Sequence, residues 1–189
     1  NTIFENTDEN NNVLMSLPIT IFSQNTDLVA ISAVVNTNAI LAGQTMVITW
    51  TGKNNGIDDA TTNWYDAVYF SNNTTIDGGD ILLGSWIHNS ILKKDSTYTS
   101  TKNITIPISA NGIYYLLLKV DNAHQLNDTI LTNNSLVLQS GSSGTTISVT
   151  QPLPSDLIPT NFSAPAQCIE SQPIFISYQI NNNGFGPTG

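Results

Sequence analysis

The sequence repeats itself, and this limits its architecture more than any other feature. Asp27-Leu28-Val29, then Gln44-Thr45-Met46-Val47-Ile48-Thr49-Trp50, then Asn54-Asn55-Gly56, recur in the same order later in the chain. The copies are Asp156-Leu157-Ile158, Gln172-Pro173-Ile174-Phe175-Ile176-Ser177-Tyr178 and Asn182-Asn183-Gly184. The offset is 129 residues at the Asp and 128 at the Gln and Gly. A second match joins Asn133-Asn134-Ser135-Leu136-Val137-Leu138 to Asn11-Asn12-Val13-Leu14-Met15, with an offset of 122. The soft stretch Gln139-Ser140-Gly141-Ser142-Ser143-Gly144 has linker composition and accounts for the difference. Fixed-period self-similarity is the mark of a tandem architecture. Three units are therefore expected: residues 1–22 as the tail of a preceding repeat, 27–150 as a complete one, and 156–189 as the head of a following, truncated one.

Each unit reads as β-structure. Met46, Ile48 and Trp50 alternate with Val47, Thr49 and Thr51, a period of two. Val68 and Phe70, and then Tyr114, Leu116, Leu118 and Val120, continue the pattern. Thr97 to Ile106 is a Thr-rich run that favours strand. Turn residues punctuate these runs at Asn54-Asn55-Gly56, Asp77-Gly78-Gly79-Asp80 and Ser109-Ala110-Asn111-Gly112. About seven short antiparallel strands in a unit of this size predict a two-sheet, immunoglobulin-like β-sandwich. Tyr114, early in a late strand, resembles the corner tyrosine of such sandwiches.

Composition excludes several function classes. Five Lys+Arg against fourteen Asp+Glu give a net charge of −9, so the cationic footprint of a nucleic-acid binder is missing. No apolar run approaches the ~20 residues that cross a bilayer. One cysteine, Cys168, allows no internal disulfide, and no Cys/His spacing fits zinc. With hydrophobic residues at 40% the chain can still build a core. The start at Asn1 and the stop in a turn-like stretch at Gly189 read as an excerpt of a longer protein.

The blocks Asp27-Leu28-Val29, Ala42-Gly43-Gln44-Thr45, Trp50, Asn54-Asn55-Gly56, Trp64 to Ser71, Asp77-Gly78-Gly79-Asp80, Leu83-Gly84, Gly112 to Leu116 and Asn133-Asn134 follow one another in an order that resembles the bacterial cell-adhesion-related domain family, CARDB. The resemblance spans the middle unit and fragments of its neighbours. It implies tandem immunoglobulin-like repeats in a large secreted or surface protein, a spacer, presentation or adhesion role, and no enzyme. The partners it implies are neighbouring repeats of the same chain, with a surface protein or a polysaccharide as outside candidates, and the implied location is extracellular. This chain departs from the family at Gly52, where a larger apolar residue is usual. It also departs at Asn72-Asn73 and Asn127, where acidic residues are common.

The candidate metal site is Asp66 with Asn73, Asp77 and Asp80, joined by Asn72. Calcium takes six to eight oxygens, and Asp77-Gly78-Gly79-Asp80 offers two carboxylates across a turn. The competing reading is a polar hairpin loop whose Asp and Asn satisfy their own backbone. No other cofactor is implied. Asp121-Asn122 with Asn127-Asp128 forms a second acidic cluster, read either as an ion site or as a solvated loop. Trp64 and Trp86, with Tyr65 and Tyr69, are candidate ligand-binding aromatics for a sugar face, against the alternative of core packing. On that alternative the chain is a carbohydrate-binding or accessory module of a secreted enzyme. Asp58-Asp59 supplies paired carboxylates, the raw material of glycoside hydrolysis, but a small sandwich has little room for the cleft. His88 and His124 are read as surface residues without partners, and Cys168 as a packed or idle thiol.

Overall fold

The computed structural model describes residues 14–21, 23–140 and 144–188. The strands in chain order are β1 (Leu28–Val35), β2 (Ala39–Leu41), β3 (Thr45–Asn54), β4 (Trp64–Ser71), β5 (Ile81–His88), β6 (Thr97–Thr105), β7 (Gly112–Lys119), β8 (Ser135–Val137), β9 (Gln139–Ser140), β10 (Thr146–Thr150), β11 (Leu157–Ser163) and β12 (Ser177–Asn182). One 3-10 turn, Leu131–Asn133, precedes β8. The first ten strands form two sheets, ordered β6-β3-β1-β9 and β2-β10-β7-β4-β5, with β8 also on β7. This is an all-β, immunoglobulin-like sandwich.

The alternation in the sequence fixes which side chains face inward. In β3, Met46, Ile48 and Trp50 are buried while Thr45 and Val47 face out. Val68, Phe70, Ile104, Leu116, Leu118 and Val120 complete the same core, with Leu83, Tyr114 and Leu136 at its margin. Each fully buried large side chain stabilises the fold by about 1.5–3 kcal/mol before entropy is counted. The outward face of β3 and β6 is a threonine ladder: Thr45–Thr105, Thr49–Thr101 and Thr51–Thr99 pair their hydroxyls at 3.0, 3.0 and 3.1 Å. Such cross-strand pairs hold register on a solvated face. The Tyr114 hydroxyl donates to Asn111 O at 3.3 Å and so touches the preceding turn.

Two registers are parallel, which the expectation of antiparallel strands did not contain. β2 runs parallel to β10, and β9 runs parallel to β1. In both places the chain crosses between sheets at an edge, so strands distant in sequence meet side by side. β2 and β9 are three and two residues long, too short for a period of two to show.

β11 and β12 form a separate two-stranded sheet and pack on each other but on no other strand. Their geometry copies that of β1 and β3. Leu28 pairs with Asn54 and Leu157 with Asn182. Asn55 N donates to Asp27 O at 2.7 Å, and Asn183 N to Asp156 O at 2.7 Å. Gly56 N reaches Asn54 Oδ1 at 3.1 Å, and Gly184 N reaches Asn182 Oδ1 at 2.9 Å. The amide Nδ2 of each Asn then donates to the carbonyl four residues on, Asp58 O at 2.9 Å and Gly186 O at 2.7 Å. Glycine is needed in both copies, because a Cβ would lie 2.5 Å from Asn25 O at Gly56 and 2.4 Å from Pro154 O at Gly184. The expected tail of a preceding repeat falls largely on residues 1–13 and 22, outside the described residues; the exposed Leu14, Met15, Leu17, Ile19 and Ile21 are the part within them.

Candidate functional site

The inward alternation of β4 carries a carboxylate into the space between the sheets. Asp66 is fully buried. Its Oδ2 accepts from Trp50 Nε1 at 2.8 Å and from Tyr98 Oη at 2.6 Å, and lies 2.9 Å from His88 Nε2. Its Oδ1 accepts from Asp121 N at 3.3 Å. Trp50 and Tyr98 belong to one sheet, while Asp66 and His88 belong to the other. The carboxylate therefore ties the two layers together. Gly52 makes this possible: it pairs with Tyr98, and a Cβ there would sit 2.5 Å from the Tyr98 ring. A larger residue at 52 would block the path of that ring to Asp66.

Aromatic rings enclose the carboxylate. Trp64 stacks on His88 at 4.9 Å and 12°, Tyr98 meets His88 edge-on at 4.4 Å, and Trp86 packs against Trp50 at 5.5 Å. Loss of water, and next the neighbouring Asp66 charge, hold the Tyr98 hydroxyl far above the ordinary tyrosine range. The phenol stays a donor. His88 is thus an interior ring with a carboxylate partner rather than a free surface residue; its chain position gave no hint of the pairing across β4 and β5.

This placement corrects two expectations. Asp66 does not join Asn73, Asp77 and Asp80. Ser71 lies five positions further along β4, about 16 Å of extended chain, and the loop begins beyond that. In the loop the oxygens serve their own backbone: Asn73 Oδ1 accepts from Thr75 N at 2.7 Å, Asp77 Oδ1 from Gly79 N at 2.8 Å, and Asp80 Oδ2 from Asp77 N at 2.8 Å. The Gly79 N–H, then the Asn73 amide, hold the Asp77 carboxyl below its usual range. Trp64 and Trp86 do not make an exposed aromatic strip either. Trp64 is buried, and Trp86 is half-buried over the core, because both lie on inward positions of their strands. Asp58 and Asp59 cap the backbone of Asn25 and Lys94 at 2.8 and 2.9 Å and do not face each other across a cleft. Cys168 is exposed.

The second acidic cluster proves more built than the first. Asp121, at φ 44, is buried, and its carboxylate accepts from Gln125 N at 2.8 Å and Leu126 N at 3.2 Å. Burial raises its carboxyl above the usual range, opposed by those two N–H groups. Asp128 accepts from Leu28 N at 2.9 Å, Ile130 N at 2.9 Å and Asn134 Nδ2 at 3.1 Å. Asp27 Oδ1 accepts from Asn133 Nδ2 at 2.8 Å. Asn127 Nδ2 reaches Ser23 Oγ at 2.7 Å and also Gln24 O. Asp27, Asn133 and Asn134 are landmarks of the repeat in the sequence, and nothing there singles out Thr26. Among the described residues no three His, Cys, Asp or Glu side chains are grouped as a metal site.

No family model matches the chain, and no curated protein matches it. Solved structures do. The CARDB domain of a Pyrococcus furiosus protein, in complex with di-metal ions, is 16% identical over 70% of this chain and 95% of that one, with a TM-score of 0.47. A domain of a putative cell surface protein from Methanosarcina acetivorans is 22% identical over 66% and 91%, with a TM-score of 0.44. A β-glucosidase from Listeria innocua is 10% identical over 63% of this chain and 16% of that one, with a TM-score of 0.40. At these identities the likeness is one of fold and does not extend to site residues. Among the described residues no helix is long and apolar enough to cross a membrane.

Proposed function

We propose that this chain is a non-catalytic stretch of a tandem β-sandwich array in a secreted or cell-surface protein, acting as a spacer that holds other parts at a distance. The observation that carries this reading is the repeated clasp: Asp156–Asn182–Gly184 copies Asp27–Asn54–Gly56 bond for bond. Its partners are then the neighbouring units of its own chain.

The path of the chain supports the same reading. It enters β1 beside the loop that follows β7, where Leu28 N meets Asp128. It leaves β10 beside the start of β7, where Val149 pairs with Gly112. The two ends of the sandwich are therefore opposite, as a series array requires. Both are tied down by side chains: Gln24 to Thr61 at 2.9 Å where the chain enters, and Gln151 to Ile108 O and Ala110 O at 3.0 and 2.8 Å where it leaves. The interior carboxylate is spent on joining the sheets.

The test is small-angle X-ray scattering on two copies of residues 23–155 joined in series. The maximum dimension should come close to twice that of one copy, and the pair should bind no polysaccharide or surface protein on its own. A compact pair that keeps the dimension of a single copy would overturn the spacer reading. Saturable polysaccharide binding would favour a ligand-binding module instead.

A further inference from the structure

On the face of the β4–β7–β8 sheet that points away from the core there is a recess of about 400 Å³. Two loops roof it. β4 ends at Ser71, beside Tyr115 near the start of β7. The chain then folds back over the sheet, so that Thr74–Ile76 lines the same recess as Leu117 and Lys119. His124 and Leu131, from the loop after β7, close the other side. Leu117 shows the effect of this cover. It alternates with the core residues Leu116 and Leu118 and stands outside the core cluster, yet it is only 2% exposed. The outward face of an antiparallel sheet is commonly solvated, so a covered leucine there marks a built recess rather than open surface.

Strand register gives the recess a polar end and an apolar end. Lys119 pairs with Ser135, and Leu117 with Val137. Paired residues share a face, so an ammonium lies beside a hydroxyl, and two aliphatic side chains lie beside each other two residues away, about 7 Å along the strand. Lys119 is half-buried. Among the described residues it has no carboxylate partner, although the chain carries fourteen Asp+Glu against five Lys+Arg; the ion pair of Lys53 with Asp95 is the one that a lysine makes. Lysines that leave water are ordinarily paired, so this one selects an anion.

The kind of anion follows from what surrounds it. His124 adds no free second charge, because it already faces the buried Asp121. The chain has no arginine to fork around a phosphate. One free positive charge suits a monoanion. A sugar body would leave hydroxyls unpaired against Leu117 and Val137, so the body that fits is apolar and spans about 7 Å. We propose that this recess binds a small monocarboxylic acid, its carboxylate on Lys119 and Ser135 and its carbon chain on Leu117 and Val137. The site lies on the opposite face of the sheet from Asp66 and uses no residue of the repeated clasp. It therefore stands whether or not the units form a series array.

The experiment is a titration of the whole chain with sodium hexanoate, followed by backbone amide resonances, with hexanamide and acetate in parallel. The amides of Leu117, Lys119, Ser135 and Val137 should shift together and saturate with hexanoate in the millimolar range, as a ligand this small allows. Hexanamide keeps the chain without the charge, and acetate keeps the charge without the chain. Each should bind about tenfold more weakly or worse. Lys119→Met keeps the aliphatic stem and removes the charge. It should lose about tenfold or more in hexanoate affinity and cease to distinguish hexanoate from hexanamide, whereas Lys94→Met should bind as the unaltered chain does. If Lys119→Met fails to fold, the contrast between hexanoate and hexanamide on the unaltered chain decides alone. Three results would each overturn the site: no saturable shift at those four residues, as when the acid coats only the exposed faces of β11 and β12; equal binding of hexanoate and hexanamide; or hexanoate affinity unchanged in folded Lys119→Met.

Discussion

The β1–β3 pair and the β11–β12 pair carry one backbone plan under two conditions. Leu28 and Leu157 share a register position, yet the first is 0% exposed and the second 55%. Trp50 is 1% exposed and its counterpart Tyr178 is 62%. The clasp of Asp, Asn and Gly is complete in both. Local sequence and short hydrogen bonds thus suffice to draw the hairpin, whereas burial comes only from the opposite sheet. A lone two-stranded hairpin is marginally stable in water. The first pair should therefore be rigid, and the second should be held chiefly by its clasp.

The largest expected contrast is in the aromatic pair. Trp50→Ala removes a filled core position and the Nε1 donor to Asp66, and should cost roughly 3–5 kcal/mol in the main unfolding transition. Tyr178→Ala should change that transition by less than about 0.5 kcal/mol. Denaturant melts followed by tryptophan fluorescence for Tyr178→Ala, and by circular dichroism for both, would measure this. Equal effects would end the comparison.

Next in size is the asparagine of the clasp. Asn54 is buried and bonds to Asp58 O, Leu92 O and Gly56 N. Asn54→Ala leaves those groups short of a partner at a cost of about 1–3 kcal/mol. Asn182→Ala should leave the main transition in place, because β11 and β12 pack on no other strand.

The inter-sheet tie at Asp66 exists in the sandwich alone and should show itself in alkali. Tyrosine ordinarily ionises near 10.0, and Tyr98 in the folded protein lies far above that. A raised folded value means stability that is complete below the unfolded value and lost as pH climbs from there toward the folded one. The melting temperature should fall above pH 10. Tyr98→Phe should flatten that fall and lower stability at neutral pH by about 1.5–3 kcal/mol, the usual worth of a hydrogen bond to a charge.

The smallest effect belongs to the exposed turn at Asp77. Its carboxyl is held below the ordinary 3.8 by the Gly79 N–H and then the Asn73 amide. The contribution is present above the ordinary value and lost as pH falls through the lowered one. A Gly79 amide resonance that titrates below 3.8, with little change in melting temperature, is the expected readout.

How far the sequence foretold this follows from what each residue depends on. Alternation in β3 and the repeat spacing depend on neighbours along the chain, and both were legible. β2 and β9 gain their places from parallel partners more than a hundred residues away, which no local period reports. Asp66 looked like a loop ligand because it lies close in sequence to Asn73–Asp80, but an extended strand turns that nearness into distance. Trp64 and Trp86 stood between a sugar-binding face and core packing, and the structure places them on the core, because inward and outward positions of β4 and β5 cannot be told apart until the opposite sheet is in place. Asn133 and Asn134 read as landmarks of the repeat; their hydrogen bonds to Asp27 and Asp128 appear only once the incoming chain lies beside the loop after β7.

The central claim is that residues 157–182 reproduce the β1–β3 hairpin without the cover that makes it stable. Amide hydrogen exchange on the whole chain tests it directly, since exchange reads local opening free energy strand by strand. The account predicts slow exchange across β1, β3 and β7, and exchange close to that of an open chain across β11 and β12. Protection of β11 and β12 equal to that of β3 would contradict it.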